Sequence, residues 1–284
     1  MTIAQALPNA HYLVLVIFLP LAMQTQTVTL LNHSVSYSVI GSGKPLLLLH
    51  GWGSSSKAML PLAQEMSKHH TCYLLDFPGF GLSPAPNSGW DVSNYTDLTQ
   101  AFVSEIIKEK TDIIAHSFGG RIMLKLLSRG WSKEFIGKVL ITGGAGMKPK
   151  RSWKFYYRKY LAKTLKAPFL VLPGSLQTKG LEFLRSTDLW KSLGSSDYKT
   201  LQGTLRETFV KTVSEYLEKH LPEIQHEVFL LWGKNDDATP WYQAERIQKG
   251  IKSCSLVGID DAGHYAFLDK PAQFYAIANA YLTA

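Results

Sequence analysis

Six short and continuously apolar runs constrain this chain more than any other feature: LLLLH (46–50), CYLLD (72–76), DIIAH (112–116), KVLIT (138–142), EVFLLWG (227–233) and CSLVGI (254–259). A run that is apolar at every position has no face to offer water, so it suits a parallel strand covered on both sides. Amphipathic segments separate the runs, at residues 58–69, 94–110, 118–129, 239–251 and 271–283. Strands alternating with helices imply a doubly wound parallel sheet. Ahead of the first run, TVTLLNHSVSYSVIG from Thr27 alternates polar and apolar residues and reads as two antiparallel strands turning near Asn32-His33. Two antiparallel and six parallel strands predict an α/β fold with a mostly parallel eight-stranded sheet flanked by helices.

The alternation breaks once. From about Met147 to Gln225 the pattern is helical with little strand character, which predicts a helical insertion over one end of the sheet. The organisation expected is therefore an apolar N-terminal extension (1–22), the first part of the core (23–146), the insertion (147–225) and the second part of the core (226–284). A chain of 284 residues with 45% hydrophobic content can bury one such core. The run YLVLVIFLPLAM (12–23) has about half the ~20 residues a membrane-spanning helix needs. Residues 1–11 hold no Lys or Arg, and no A-x-A cleavage site follows, so the pattern favours translation from Met23 over a cleaved secretion signal. A cytoplasmic location goes with that preference.

The formal charge of +8 would suit an acidic partner, but no nucleic-acid motif accompanies it. The basic residues concentrate in MKPKRSWKFYYRKYLAKTLK (147–166), with eight Lys or Arg, no Asp or Glu and five aromatics. Trp153, Tyr156, Tyr157, Tyr160 and Leu161 share one helical face, flanked by Lys154, Arg158 and Lys159. The favoured expectation packs that face on the domain; the other leans it on an anionic membrane or offers it to an acidic substrate. Cys72 and Cys254 form no CxxC or Cys/His cluster and read as reduced core residues, so neither a metal site nor a disulfide framework is expected. The pair His69-His70 reads as a solvated helix end.

Chemistry gathers at the carboxyl ends of parallel strands. After DIIAH comes Ser117, followed by a helical segment from Phe118, with Ala115 and Gly119 small on either side and Gly120 allowing close helix packing. A serine on such a tight turn is strained, and it needs small neighbours two residues away. A serine nucleophile also needs a base, and the base needs a carboxylate to hold its tautomer. The loop after CSLVGI supplies His264, and the loop after VFLLWG supplies Asp236 or Asp237, with Asp236 as a simple helix cap for an alternative. His50 and His116 read as structural hydrogen-bonders.

On these residues the chain resembles the α/β-hydrolase superfamily, from about Thr27 to Ala284. LLLLHGWGSSS is similar to its oxyanion loop, LLDFPGFGLS to its turn after the next strand, and AHSFG to its nucleophile elbow, with alanine where glycine is usual. WGKNDDATP is similar to its W-G-x-x-D-x-x-x-P acid loop, and DAGHYAFLDKP to its G-H-x-x-x-x-[DE]-x-P histidine loop. The resemblance implies a Ser117, Asp236, His264 triad, choosing Asp236 over Asp237, and an oxyanion hole from the backbone N–H groups of Trp52 and Phe118. It makes the insertion a helical cap that sets substrate choice. There Phe169, Phe183, Trp190, Tyr198 and Phe209 would form an apolar roof, while Arg185 and Arg206 could meet a carboxylate.

The resemblance also implies a cofactor-independent serine hydrolase acting on a small-molecule carboxylic ester of small to medium size. The enzymatic alternative is a carbon–carbon bond hydrolase of vinylogous diketo acids, although Tyr265 stands where those enzymes often have tryptophan. A ligand-binding receptor or membrane-surface protein on the same scaffold is the alternative from another class. Haloalkane dehalogenase chemistry is disfavoured, because it would place aspartate at position 117. The sequence sets no oligomeric state.

Overall fold

The computed structural model describes residues 23–131, 134–150, 153–187 and 201–284. Strands β1 (Gln24–Leu30) and β2 (His33–Gly41) form an antiparallel hairpin. Its two-residue turn, Leu31-Asn32, has positive φ at both positions, which matches the right-handed twist of the flanking strands. All six apolar runs form strands: β3 (Lys44–Leu49), β4 (His70–Leu75), β5 (Thr111–His116), β6 (Ile136–Thr142), β7 (Val228–Gly233) and β8 (Cys254–Ile259). The spatial order is β1-β2-β4-β3-β5-β6-β7-β8, with every pair from β4 onward parallel.

Successive strand residues point to opposite faces, so each apolar run feeds two cores. Leu47, Leu49, Ile113, Val139, Ile141 and Leu230 pack on one face with α2 (Val92–Ala101), α3 (Phe118–Ser128) and α7 (Trp241–Gly250). Leu46, Leu48, Leu74, Ile114, Leu140 and Leu231 pack on the other with α1 (Ser56–Met66), the short α8 (Ala266–Asp269) and α9 (Pro271–Thr283). The single helix expected over 94–110 is α2 continued by a wider π-helical stretch, Phe102–Ile107.

Helices α4 (Trp153–Leu170), α5 (Gly174–Ser186) and α6 (Gly203–Ser214) lie between β6 and β7. The Leu217 N–H donates to the Gly146 carbonyl at 2.9 Å, so the chain leaving β6 and the chain returning toward β7 are tied where the segment begins and ends.

Three expectations need correction. The aromatic face of α4 does not pack on the domain: Trp153, Tyr157 and Tyr160 are 72%, 62% and 63% exposed. The chain reverses after Leu170 and pairs α4 with α5, and helical spacing alone cannot say which neighbour a face will meet. Leu161 of that face is half-buried, while Tyr156, Lys154, Arg158, Lys159 and Arg185 lie outside the described side chains. Cys254 is only half-buried because β8 is an edge strand, whereas Cys72 is in the core; both are free thiols. His70 is not a solvated helix end but the buried first residue of β4, which starts two residues before the apolar run, and burial lowers its pKa.

The extension 1–22, Trp190 and Tyr198 lie outside the described residues. Among the described residues no helix is long and apolar enough to cross a membrane.

Candidate active site

The loops after β5, β7 and β8 meet at the carboxyl edge of the sheet. Ser117 sits between β5 and α3 with φ +52° and ψ −106°, a left-handed backbone that costs a non-glycine residue about 1–3 kcal/mol. Hydrogen bonds on both sides hold it there. Its N–H donates to the Thr142 carbonyl at 3.1 Å, and its carbonyl accepts from the Ala145 N–H at 2.9 Å. The steric reason for Gly119 is direct, since a Cβ there would lie 2.7 Å from the Leu49 carbonyl oxygen. A Cβ on Gly120 would lie 2.8 Å from Gly144 Cα, so α3 closes on the chain leaving β6.

The Ser117 hydroxyl lies 3.0 Å from His264 Nε2, and His264 Nδ1 lies 2.9 Å from Asp236 Oδ2. Asp236 is buried at the end of β7, whereas Asp237 beside it is exposed. Asp236 is not the cap of α7, whose N-cap is Pro240; its Oδ1 instead accepts from the N–H groups of Ala238 and Thr239. Burial pushes its pKa up, but hydrogen bonding and charge attraction from His264, with the Thr239 donors, outweigh burial and leave it lowered. The carboxylate is therefore ionised and fixes hydrogen on His264 Nδ1, leaving Nε2 to face the serine. Thr239, passed over in the sequence, also places its hydroxyl 2.8 Å from Asp236 Oδ2.

Other residues hold the imidazole in place. Gly143 has φ +56°, and a Cβ there would lie 3.0 Å from His264 Nδ1. Asp269, the acidic position of the histidine loop, accepts the Gly263 N–H at 2.7 Å. His116 bonds through Nε2 to the His264 backbone carbonyl at 3.1 Å, and His50 bonds through Nε2 to the Phe77 N–H at 3.1 Å and through Nδ1 to the Gly51 carbonyl at 2.7 Å. Both rings bond main chain, as their structural reading expects. Burial drives His116 down to about 3 and His50 to about 4, so both are neutral. Those contacts fix the tautomers, with hydrogen on His116 Nε2 and His50 Nδ1.

The loop holding Trp52 abuts the serine, since a Cβ on Gly51 would lie 3.1 Å from Ser117 Cβ, and the Trp52 ring sits edge-on to Phe118 at 5.2 Å. Phe118 opens α3, so its N–H has no acceptor within the helix. Above Ser117 lies a cavity of about 530 Å³, walled by Trp52, Phe118, Met147, Phe209, Val213 and neighbours. Of the expected roof, Phe209 lines it, Phe169 packs against Gly180, and Phe183 is exposed. Arg206 donates to the Leu201 carbonyl and is not on the wall. The cation on the wall is Arg121, one helical turn beyond Ser117, which the sequence signalled only by that spacing. Tyr265 rests on the His116 ring at 4.6 Å.

This arrangement can deprotonate a hydroxyl and return the proton to a leaving group. Among the described residues no cluster of three or more His, Cys, Asp or Glu side chains is placed to hold a metal.

A family model described as the alpha/beta hydrolase fold matches residues 44–271. The AB hydrolase superfamily protein YisY of Bacillus subtilis is 27% identical over 245 residues, covering 81% of this chain and 88% of that protein. The 2-hydroxy-6-oxo-2,4-heptadienoate hydrolase of Pseudomonas putida is 20% identical, covering 86% of this chain and 91% of that one. Among solved structures, an esterase from Exiguobacterium antarcticum is similar in fold with a TM-score of 0.70 at 19% identity, covering 92% of this chain and all of its own.

Proposed function

The chain belongs to the alpha/beta hydrolase fold family, and from that premise we propose that it is a cofactor-independent serine hydrolase that cleaves small to medium carboxylic esters. The observation that carries the reading is the unbroken hydrogen-bonded chain from Ser117 through His264 to Asp236, on a strained turn beneath a largely apolar cavity. Ser117 Oγ attacks the ester carbonyl as His264 Nε2 takes its proton. The N–H groups of Trp52 and Phe118 hold the developing oxyanion, each such donor being worth about 10²–10³ in rate. His264 then gives the proton to the departing alkoxide, leaving an acyl group on Ser117. Water, deprotonated by the same imidazole, releases the acid and restores the serine. The helical segment between β6 and β7 acts as the cap.

Turnover of p-nitrophenyl butyrate tests this. Ser117→Ala is expected to abolish it and to end labelling by a fluorophosphonate probe, and wild-type turnover in that variant would overturn the reading. Assaying a vinylogous diketo acid alongside the ester decides against the carbon–carbon hydrolase, the class of the Pseudomonas putida relative, if only the ester is consumed.

A second reading draws on the exposure of Trp153, Tyr157 and Tyr160 in a strongly basic segment. Aromatic rings beside lysines suit an anionic membrane surface, and the cap then docks on lipid. Salt-sensitive sedimentation with phosphatidylserine vesicles, lost when Lys148, Lys150, Arg151 and Lys154 are neutralised, is the expected result. Equal recovery with neutral vesicles would refute it.

A further inference from the structure

We propose that Arg121 is an anion subsite, so that the preferred ester carries a carboxylate, or an equivalent anion, a few carbons from its scissile carbonyl. The inference deepens the serine-hydrolase reading and rests on it. Ser117 immediately precedes α3 and Arg121 lies one turn into it, its N–H donating to the Ser117 carbonyl at 3.1 Å, and both residues line one cavity. An ester that reaches from the serine to the guanidinium within that cavity needs an acyl linker of only a few methylenes.

The surroundings of Arg121 fit an incoming anion. The residue is 7% exposed, and it lines the cavity that also holds Ser117. Among the described residues on that wall it carries the one formal charge, and no carboxylate accompanies it. Its Nη1 donates to the backbone carbonyls of Thr212 and Glu215, at the end of α6. Those dipoles offset a charge without neutralising it. The nearby carboxylates attract Arg121 from outside the cavity wall but form their ion pairs with other cations: Glu215 pairs with Lys125 at 2.7 Å, and Glu218 faces Arg246 at 3.7 Å. Burial holds the guanidinium down to about 10, against the opposing charge attraction of Glu215, Tyr216 and Glu218.

A guanidinium presents five donors in a planar fork suited to carboxylate, and the bonds to the cap leave from a single nitrogen. Thr212, Tyr216 and Gln243 line the same cavity and give the anion further polar company.

The test compares mono-p-nitrophenyl adipate with its methyl ester, a pair alike in length and leaving group but differing in charge. The wild type is expected to favour the anionic ester in kcat/KM by about 10- to 100-fold, the range of a charge-assisted hydrogen bond. Arg121→Met should erase the preference, and Arg121→Lys should keep part of it. If Arg121 served only to hold α6, the methionine variant would slow both esters by one factor and leave their ratio intact, which overturns the proposal. Equal kcat/KM for the two esters in the wild type overturns it as well.

A binding measurement separates this from failure of the hydrolase reading. Adipate should bind the Ser117→Ala protein, followed by Trp52 fluorescence, and about 10-fold more weakly once Arg121 is also methionine. Adipate binding that depends on Arg121 without any Ser117-dependent turnover would sink the hydrolase reading while leaving the anion site standing. Absence of adipate binding to the folded protein would sink the site itself.

Discussion

Acidification to pH 5 should strip the fold of about 4 kcal/mol through two residues, His50 and His116. Both are enclosed, with 0% and 1% of their surface exposed. Burial keeps each neutral against the accepting carbonyls of Gly51 and His264, which favour the charged ring, and a proton added to His50 Nε2 would also oppose the Phe77 N–H that donates to it. Unfolded imidazole titrates near 6.5, whereas the folded groups are held at about 4 and about 3, chiefly by burial. Below 6.5 the unfolded chain therefore binds protons that the folded chain refuses, and stability falls as pH falls.

Integrated from pH 7 to 5, that linkage is worth about 2 kcal/mol per histidine, a large share of the 5–15 kcal/mol typical of a domain. His70, also lowered by burial, acts in the same direction. Asp236 adds a loss of the same sign, but with its lowered carboxyl that loss begins only below about pH 4. Urea unfolding at pH 7, 6 and 5 and constant ionic strength measures the slope. Nitrogen-15 correlation spectra should show hydrogen on Nδ1 of His50 and Nε2 of His116 throughout. A total loss below about 1 kcal/mol, or either ring titrating near 6.5 in the folded protein, would refute the reasoning.

Three further outcomes are expected. Asp236→Asn should leave the fold intact but lower kcat for p-nitrophenyl butyrate by about 10⁴, since the amide favours the wrong imidazole tautomer; a loss under tenfold would remove Asp236 from its assigned role. Gly119→Val would drive its side chain into Leu49, so thermal unfolding should register a cost of about 1–3 kcal/mol or more from overpacking. Asp76→Ala would take the acceptor from the Ser56 N–H at 2.7 Å and the Leu82 N–H at 2.9 Å, lowering stability by about 3 kcal/mol in denaturant titrations and loosening the turn after β4.

The sheet was legible because burial on two faces writes itself into composition: a strand such as Leu46–Leu49 can be apolar at every position only if both sides are covered. The strained turn was legible for a similar reason, since Gly119 and Gly120 answer to Leu49 and Gly144, atoms that any such turn must approach. The choice between Asp236 and Asp237 was not legible from the residues alone. It depends on which carboxylate meets the N–H groups of Ala238 and Thr239, a matter of a few dihedral angles. Arg121 stayed hidden because its meaning comes from the cavity and from carbonyls some ninety residues away. The outward turn of Trp153, Tyr157 and Tyr160 was hidden too, because helical periodicity defines a face without naming its neighbour.

The backbone bond between Leu217 and Gly146 closes the neck of the helical segment, and α6 is tied to the core a second time, where Arg121 donates to the Thr212 and Glu215 carbonyls and the Trp90 N–H donates to Thr208 Oγ1. Beneath it, the loops after β5, β7 and β8 brace one another through main-chain bonds of the core, Ser117 to Thr142 and Ala145, and Asn235 to Ala262. A chimera that exchanged the segment would have to match that neck and the α6 contacts together, so the range of molecules admitted can drift only through side chains that leave both in place.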